Sequence, residues 1–368
     1  MKFSHALLGL TLAALPVLRA AEPAVAPANT PPPSNTPAPA PVDPAPAVTS
    51  PAENALAPAS APAPAAPAIP SAPRASVIVI AGAPGELDYA AEFTDKVDIW
   101  RKIGTQAGVS LTVIGTDPIA ETSDRAKLQD FLAKEPKDGG MELWIVMLGH
   151  GTFDGREAKF NLRGDDISAT DLAEWLKPFQ RPLAVIDTAS ASAPFMAKLA
   201  GPGRVVVTST RSGNEHNYAR FGKYFAEAVA DPASDLDKDG QVSLLEAFLG
   251  GAHRTAEFYK TEGRLATEHA LIDDNGDGLG TPAEWFRGVR ATRQARDGAA
   301  VDGTRAHQYV LLLSPSEQRL SPEVRARRDR LELQIAELRT TKEKMPEAAY
   351  YRELEKLLLE LASLYNGT

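Results

Sequence analysis

Apolar residues along this chain follow two rhythms. Ala75-Ser76-Val77-Ile78-Val79-Ile80-Ala81 is an unbroken β-branched run, the pattern of a strand covered on both faces of a parallel sheet. Gly82-Ala83-Pro84-Gly85 then turns the chain, and Tyr89, Phe93, Val97 and Trp100 recur at helical spacing. The alternation continues with a strand over Val109–Ile114 and a helix through Leu132 that Ser123 caps. A third strand, Met141–Leu148, ends in Gly149-His150-Gly151, and Lys159–Leu162 reads as a short hairpin arm. Ser168 with Asp171 caps a helix holding Leu172, Trp175 and Leu176. Strands over Leu183–Ile186 and Val205–Val207 follow, then a helix from Tyr218 to Val229. Strands alternating with helices predict an α/β fold, a parallel doubly wound sheet flanked by crossover helices. The late run Tyr309–Leu313 predicts one more strand. Residues 291–314 would then return to the sheet, and 231–290 would be an insertion.

After Ser314 the chain turns to Leu, Glu, Arg and Lys. Leu331, Ile335 and Leu338 are spaced 4 and 3, and Leu354, Leu357, Leu361 and Leu364 are spaced 3, 4 and 3, with Pro346 between the two sets. Residues 315–368 therefore predict an antiparallel helical hairpin that either packs on the domain or mediates self-association. Residues 22–74 are mostly Pro, Ala, Ser and Thr. Such a segment buries too little to offset its ordering entropy and is expected to be a disordered tether. Residues 1–21 have the form of a signal peptide: Lys2, the apolar run Ala6–Leu18, and the small residues Ala20 and Ala21 after Arg19, where cleavage is expected. The alternative, a short membrane anchor, is disfavoured because the run is too short to cross ~30 Å of hydrocarbon. The expectation is an exported protein, periplasmic or secreted, that spans no membrane after cleavage. The absence of Cys excludes disulfides, zinc thiolates and a cysteine nucleophile. A net charge of −9 without a long basic run argues against nucleic acid as a partner.

Two segments carry a specific chemistry. An EF-hand loop places oxygen ligands at positions 1, 3, 5, 7, 9 and 12 with Gly at 6, because calcium takes hard oxygens and the Gly permits the sharp turn. Asp235, Asp237, Asp239, Gln241, Ser243 and Glu246 fill those positions, with Gly240 in place. Asp273, Asn275, Asp277, Leu279, Thr281 and Glu284 fill them again, with Gly278. Gln241 and Leu279 would ligate through their carbonyls. Val242 at position 8 can form the β-contact between paired loops, whereas Gly280 weakens it. Modest affinity and a structural role are expected, since five Met residues make no Met-rich groove.

His150 lies at the carboxyl end of its strand, where open α/β sheets bind ligands, and Asp187-Thr188-Ala189-Ser190-Ala191-Ser192 reaches the same edge. Asp187 has two candidate partners, His150 and Arg211. Glu215 and His216 lie on the expected rim. This arrangement resembles the legumain, caspase and gingipain clan of cysteine peptidases, over about residues 75–230 plus the final strand. His150-Gly151 matches the clan's His-Gly, Ile186-Asp187-Thr188-Ala189 the segment that carries its Cys, and Val79-Ile80-Ala81-Gly82 with Tyr89 the opening of the legumain branch. The resemblance implies a caspase-like sheet in which Ala189 stands at the nucleophile position and His150 is vestigial, and the order of elements makes the EF-hand pair an insertion into it. Ala90-Ala91-Glu92 also replaces the basic residues that follow the Tyr in legumain-like enzymes. The expectation is a calcium-binding pseudo-peptidase whose cleft takes a peptide or protein ligand. The alternatives are a hydrolase using Ser190 or Ser192 with His150, and an interaction protein working through the hairpin.

Overall fold

The computed structural model describes residues 74–118, 121–295 and 300–366. The expected signal peptide and nearly all of the tether lie outside the described residues. Strands β1 (Ala75–Ala81), β2 (Ser110–Ile114), β3 (Glu142–Leu148), β7 (Leu183–Asp187) and β8 (Arg204–Thr208) pair in parallel in the order β8-β7-β3-β1-β2. Helices α1 (Leu87–Ala107), α2 (Asp124–Lys134), α3 (Ala169–Leu176), α4 (Ala193–Leu199), α5 (Phe221–Ala230) and α6 (Leu244–Thr261) flank this sheet. Side chains of successive strand residues point to opposite faces, so β1 feeds two cores. Val77 and Val79 pack with Val97 and Trp100 of α1, Phe225 of α5 and Phe248 of α6. Ile78 and Ile80 pack with Leu128 of α2, Leu172 of α3 and Phe195 of α4. The result is a mixed α/β fold with a mostly parallel central sheet between helical layers. The hairpin arm is a small three-stranded sheet of β4 (Gly151–Phe153), β5 (Ala158–Phe160) and β6 (Ile167–Ser168).

The strand expected over Tyr309–Leu313 does not form. Val310 makes a single bridge to Ser243. The Arg74 guanidinium occupies the carbonyls that a neighbouring strand would need, donating to Val310 O at 2.7 Å and to Leu311 O. The edge beside β8 is filled instead by β9 (Leu271–Asp273), antiparallel to it, and then by β10 (Thr281–Pro282). These strands begin and end the second acidic loop, so 231–290 is no separate insertion: part of it completes the main sheet. A second pairing, β11 (Phe286–Arg287) with β12 (Arg290–Ala291), follows.

The C-terminal segment is a pair of helices. After the short α7 (Pro315–Arg319), Ser321 caps α8 (Pro322–Thr340), and α9 (Glu347–Asn366) returns antiparallel. Arg327 and Glu360 pair across it. It docks on the domain, where Gln308 Nε2 donates to Asp329 O at 2.9 Å and Arg328 pairs with Glu317 at 2.6 Å. Among the described residues no helix is long and apolar enough to cross a membrane.

Candidate functional sites

The carboxyl edge of the parallel strands gathers the cleft residues. Beyond β3, the His150 ring lies 4.8 Å from Tyr89, nearly perpendicular to it, with Phe93 at 5.4 Å and Tyr218 at 5.7 Å. A ring N–H of His150 bonds to the Pro84 carbonyl, while burial moves its pKa below the usual imidazole value. The imidazole is therefore neutral at neutral pH and walled by aromatic rings.

Beyond β7, Ala189 is 1% exposed and lies against Gly151. Ser190 Oγ donates to Gly151 O at 3.1 Å and accepts from Gly151 N at 3.2 Å. Ser192 Oγ is buried, accepting from Ser209 N at 3.1 Å and Thr210 N at 3.3 Å. Ala191, between the two serines, sits in the left-handed region at φ 53°. Asp187 bonds to neither candidate partner. Its Oδ1 accepts from Ala189 N at 3.1 Å, and its Oδ2 has no partner among the described residues. Burial pushes its pKa up to about 7. Arg211 pairs with Glu215 at 3.4 Å, and Glu215 also meets His269 Nδ1 at 2.6 Å, so Glu215 ties the rim together. His216 is exposed.

Gly151 is the point where the two strand ends touch. A Cβ there would lie 2.3 Å from Ser190 O and 3.3 Å from the Ala189 methyl. Gly151→Ala is expected to cost about 1–3 kcal/mol, as overpacking does, and urea unfolding checks it. An unchanged midpoint would show that the two strand ends do not meet.

The first acidic loop closes on itself. Asp235 Oδ1 accepts from Lys238 N at 2.6 Å and its Oδ2 from Gly240 N at 3.1 Å. Asp239 Oδ1 accepts from Gln241 N at 3.0 Å. Carboxylate oxygens of Asp235, Asp237 and Asp239 lie within 4.8 Å of one another. Glu246, 1% exposed, reaches back with Oε1 to Leu236 N at 2.7 Å and holds Ser243 N with Oε2 at 2.9 Å. The same contact is the capping box that starts α6. Gly240 takes φ 88°, the left-handed turn that position 6 requires.

In the second loop Asp273 accepts from Gly276 N at 2.9 Å and Gly278 N at 2.5 Å, and Asn275 Oδ1 accepts from Asp277 N at 2.8 Å. Thr281 Oγ1 donates to Asp302 at 2.6 Å. Leu279 is exposed. Glu284 is exposed too, and it lines a cavity of about 480 Å³ with Leu236, Leu249, Phe221 and Phe286. The two loops do not pair with each other: Ser243 bridges Val310, and Thr281 pairs with Ile272.

Comparison with known proteins gives only distant likenesses. No protein-family model matches, and no curated protein matches. Among solved structures, caspase-1 from Spodoptera frugiperda is 11% identical, covering 55% of this chain and 86% of its own, with a TM-score of 0.36. The Drosophila initiator caspase Dronc is 10% identical over 56% of this chain and 81% of its own, at 0.35. A Geobacter sulfurreducens protein is 11% identical over 54% and 92%, at 0.35. At this level a likeness assigns no residue a role.

Sequence reading missed the segment that joins the two loops. Residues 302–314 run across both. Asp302 Oδ1 accepts from Asp274 N at 2.9 Å, and Asp274 accepts from Gly303 N and Ala306 N. Leu244 N donates to Tyr309 O at 2.8 Å, Ser314 N reaches Gln241 Oε1 at 3.2 Å, and His307 Nε2 meets Asp237 Oδ2 at 3.0 Å. Lys96 was also missed. It is buried on α1, donates to Tyr218 OH at 2.5 Å and is pushed down to about 8 by burial. Its only signal was a lysine set inside the apolar stripe of Tyr89, Phe93, Val97 and Trp100.

Proposed function

We propose that this chain is an exported calcium-binding protein on a legumain/caspase-like scaffold, with a cleft that binds a peptide or protein segment and does not cleave it. The observation that carries the reading is the first acidic loop. Its three aspartates converge within 4.8 Å, and the buried Glu246 reaches back to the same backbone. Carboxylates this close repel one another, and a cation among them would relieve that repulsion. An all-oxygen set fits calcium, which takes six to eight oxygens at about 2.3–2.6 Å. Asp235, Asp237, Asp239, the Gln241 carbonyl, Ser243 and Glu246 would hold one ion. Asp273, Asn275, Asp277, the Leu279 carbonyl, Thr281 and Glu284 would hold a second. Calcium would supply charge that lets these side chains pack together, a structural role. Export rests on residues 1–21 and the tether composition.

The silent cleft rests on chemistry. Acyl transfer needs a nucleophile within reach of its base, and the Ala189 methyl has no lone pair. The hydroxyl of Ser190 is engaged with the Gly151 backbone, that of Ser192 with the backbone after β8, and a His150 N–H with Pro84.

Calorimetric titration of the purified protein with calcium is expected to show binding that Glu246→Gln weakens. The calcium-loaded protein is expected to leave a broad peptide library intact. Absence of heat in the wild type overturns the calcium reading. Cleavage that disappears in His150→Ala overturns the silent cleft and points to Ser190 or Ser192.

A further inference from the structure

A loop built for calcium alone presents oxygens, yet here the 302–314 segment brings an imidazole to it. The side-chain donor atoms of Asp237, Glu246 and His307 lie within 4.8 Å of one another. His307 Nε2 is 3.0 Å from Asp237 Oδ2, and the ring is largely shielded from solvent. Its position does not depend on that contact. His307 N bonds to Gly303 O at 3.0 Å, Ala306 N to Asp274 at 2.7 Å, and Tyr309 O accepts from Leu244 N at the start of α6. The nitrogen is thus carried to the loop by backbone bonds on both sides of it.

Calcium has little use for an imidazole, whereas zinc, cobalt and nickel ions bind it well. Imidazole nitrogen and carboxylate oxygen both ligate such ions at about 2.0–2.2 Å, and three protein ligands leave positions for water. The geometry points to a second ligand for the first loop: a divalent transition ion of the zinc class, held by Asp237, Glu246 and His307. Asp237 and Glu246 also belong to the proposed calcium set, so the two ions exclude each other. Competition between them rests on the calcium reading, whereas the triad itself does not.

Cobalt serves as the probe because its visible absorption reports nitrogen and oxygen ligation. In calcium-free buffer the wild-type protein is expected to give a cobalt spectrum that zinc abolishes. Removing the imidazole in His307→Gln should weaken cobalt binding by about tenfold or more, since even loss of a supporting partner costs about that much. Calcium binding by His307→Gln should stay within about twofold of wild type, which also shows that the variant folds. Asp235→Asn should do the reverse, weakening calcium more than cobalt. Cobalt should release one calcium from the loaded protein. Equal cobalt affinity in wild type and His307→Gln overturns the triad. Cobalt binding that releases no calcium overturns the competition. A wild type that binds cobalt through His307 but no calcium upholds the triad and sinks only the calcium reading.

Discussion

Calcium at about 10 mM is expected to raise the melting temperature by roughly 5–20 °C over the chelated protein, and Glu246→Gln is expected to remove most of that rise. A ligand that binds only the folded state adds RT ln(1 + [L]/Kd), and extracellular calcium modules have Kd near 10⁻⁴–10⁻³ M, so each site contributes about 1–3 kcal/mol. In a domain of this size one kcal/mol moves the melting temperature by about 2–4 °C. The two loops should contribute unequally. Glu246 is buried and already folded back onto Leu236 N, so its ligand set is nearly preorganised. Glu284 is exposed and lines a cavity, and it must turn before it can close its loop. Glu284→Gln should therefore reduce the rise less than Glu246→Gln. Thermal unfolding of the three proteins with calcium and with chelator measures this. A larger loss in Glu284→Gln would reverse the assigned order.

Asp187→Asn is expected to stabilise the protein at pH 8 and to destabilise it at pH 4, where Asp187 is already uncharged and only the cost of the added NH2 remains. Burial raises the folded-state pKa of Asp187 from 3.8 to about 7. The folded chain therefore binds this proton more tightly than the unfolded chain, and stability falls as pH rises from about 4 to about 7. Above pH 7 the full penalty is present, on the order of 4 kcal/mol at most. Asparagine keeps an acceptor for the Ala189 N–H bond and carries no charge. Its buried NH2 loses about 1–3 kcal/mol of that gain if it stays unpaired, which leaves a net gain of about 1–3 kcal/mol. Urea unfolding at pH 4 and pH 8 gives the difference directly. A variant effect that does not change with pH would show that Asp187 keeps its ordinary pKa in the folded protein.

The parallel strands were legible because a strand buried on both faces leaves no room for polar residues, as in Val77–Ala81. The helices were legible from their caps and spacing, Ser168 with Asp171 among them. The missing strand at Tyr309–Leu313 shows where that reasoning ends. Tyr309 and Leu311 are as buried as strand residues, but a side chain 236 or more positions earlier, Arg74, takes the backbone acceptors of Val310 and Leu311. Apolar pattern reports burial and says nothing of which donor finds the backbone. Both acidic loops were readable because their oxygens come from a dozen consecutive residues. His307 and Asp302 were not, since they approach the loops through tertiary packing of a segment without a motif of its own. The cleft was half legible: pattern placed His150 and Ala189 at one edge, but the bonds of Ser190 to Gly151 and of Asp187 to Ala189 depend on atoms that spacing cannot locate.

Arg74 also fixes a polarity. It lies at the amino end of β1, and the field of Arg325 on α8 reaches it, as that of Asp329 reaches Glu142 at the start of β3. The chain therefore enters the domain, and its C-terminal helices dock, at one rim of the sheet. His150 and Ala189 lie at the other, about 23 Å away along seven residues of strand. An affinity handle or a surface anchor placed ahead of Arg74 would hold the molecule by its base and leave the rim with His150 and its aromatic neighbours at the far end.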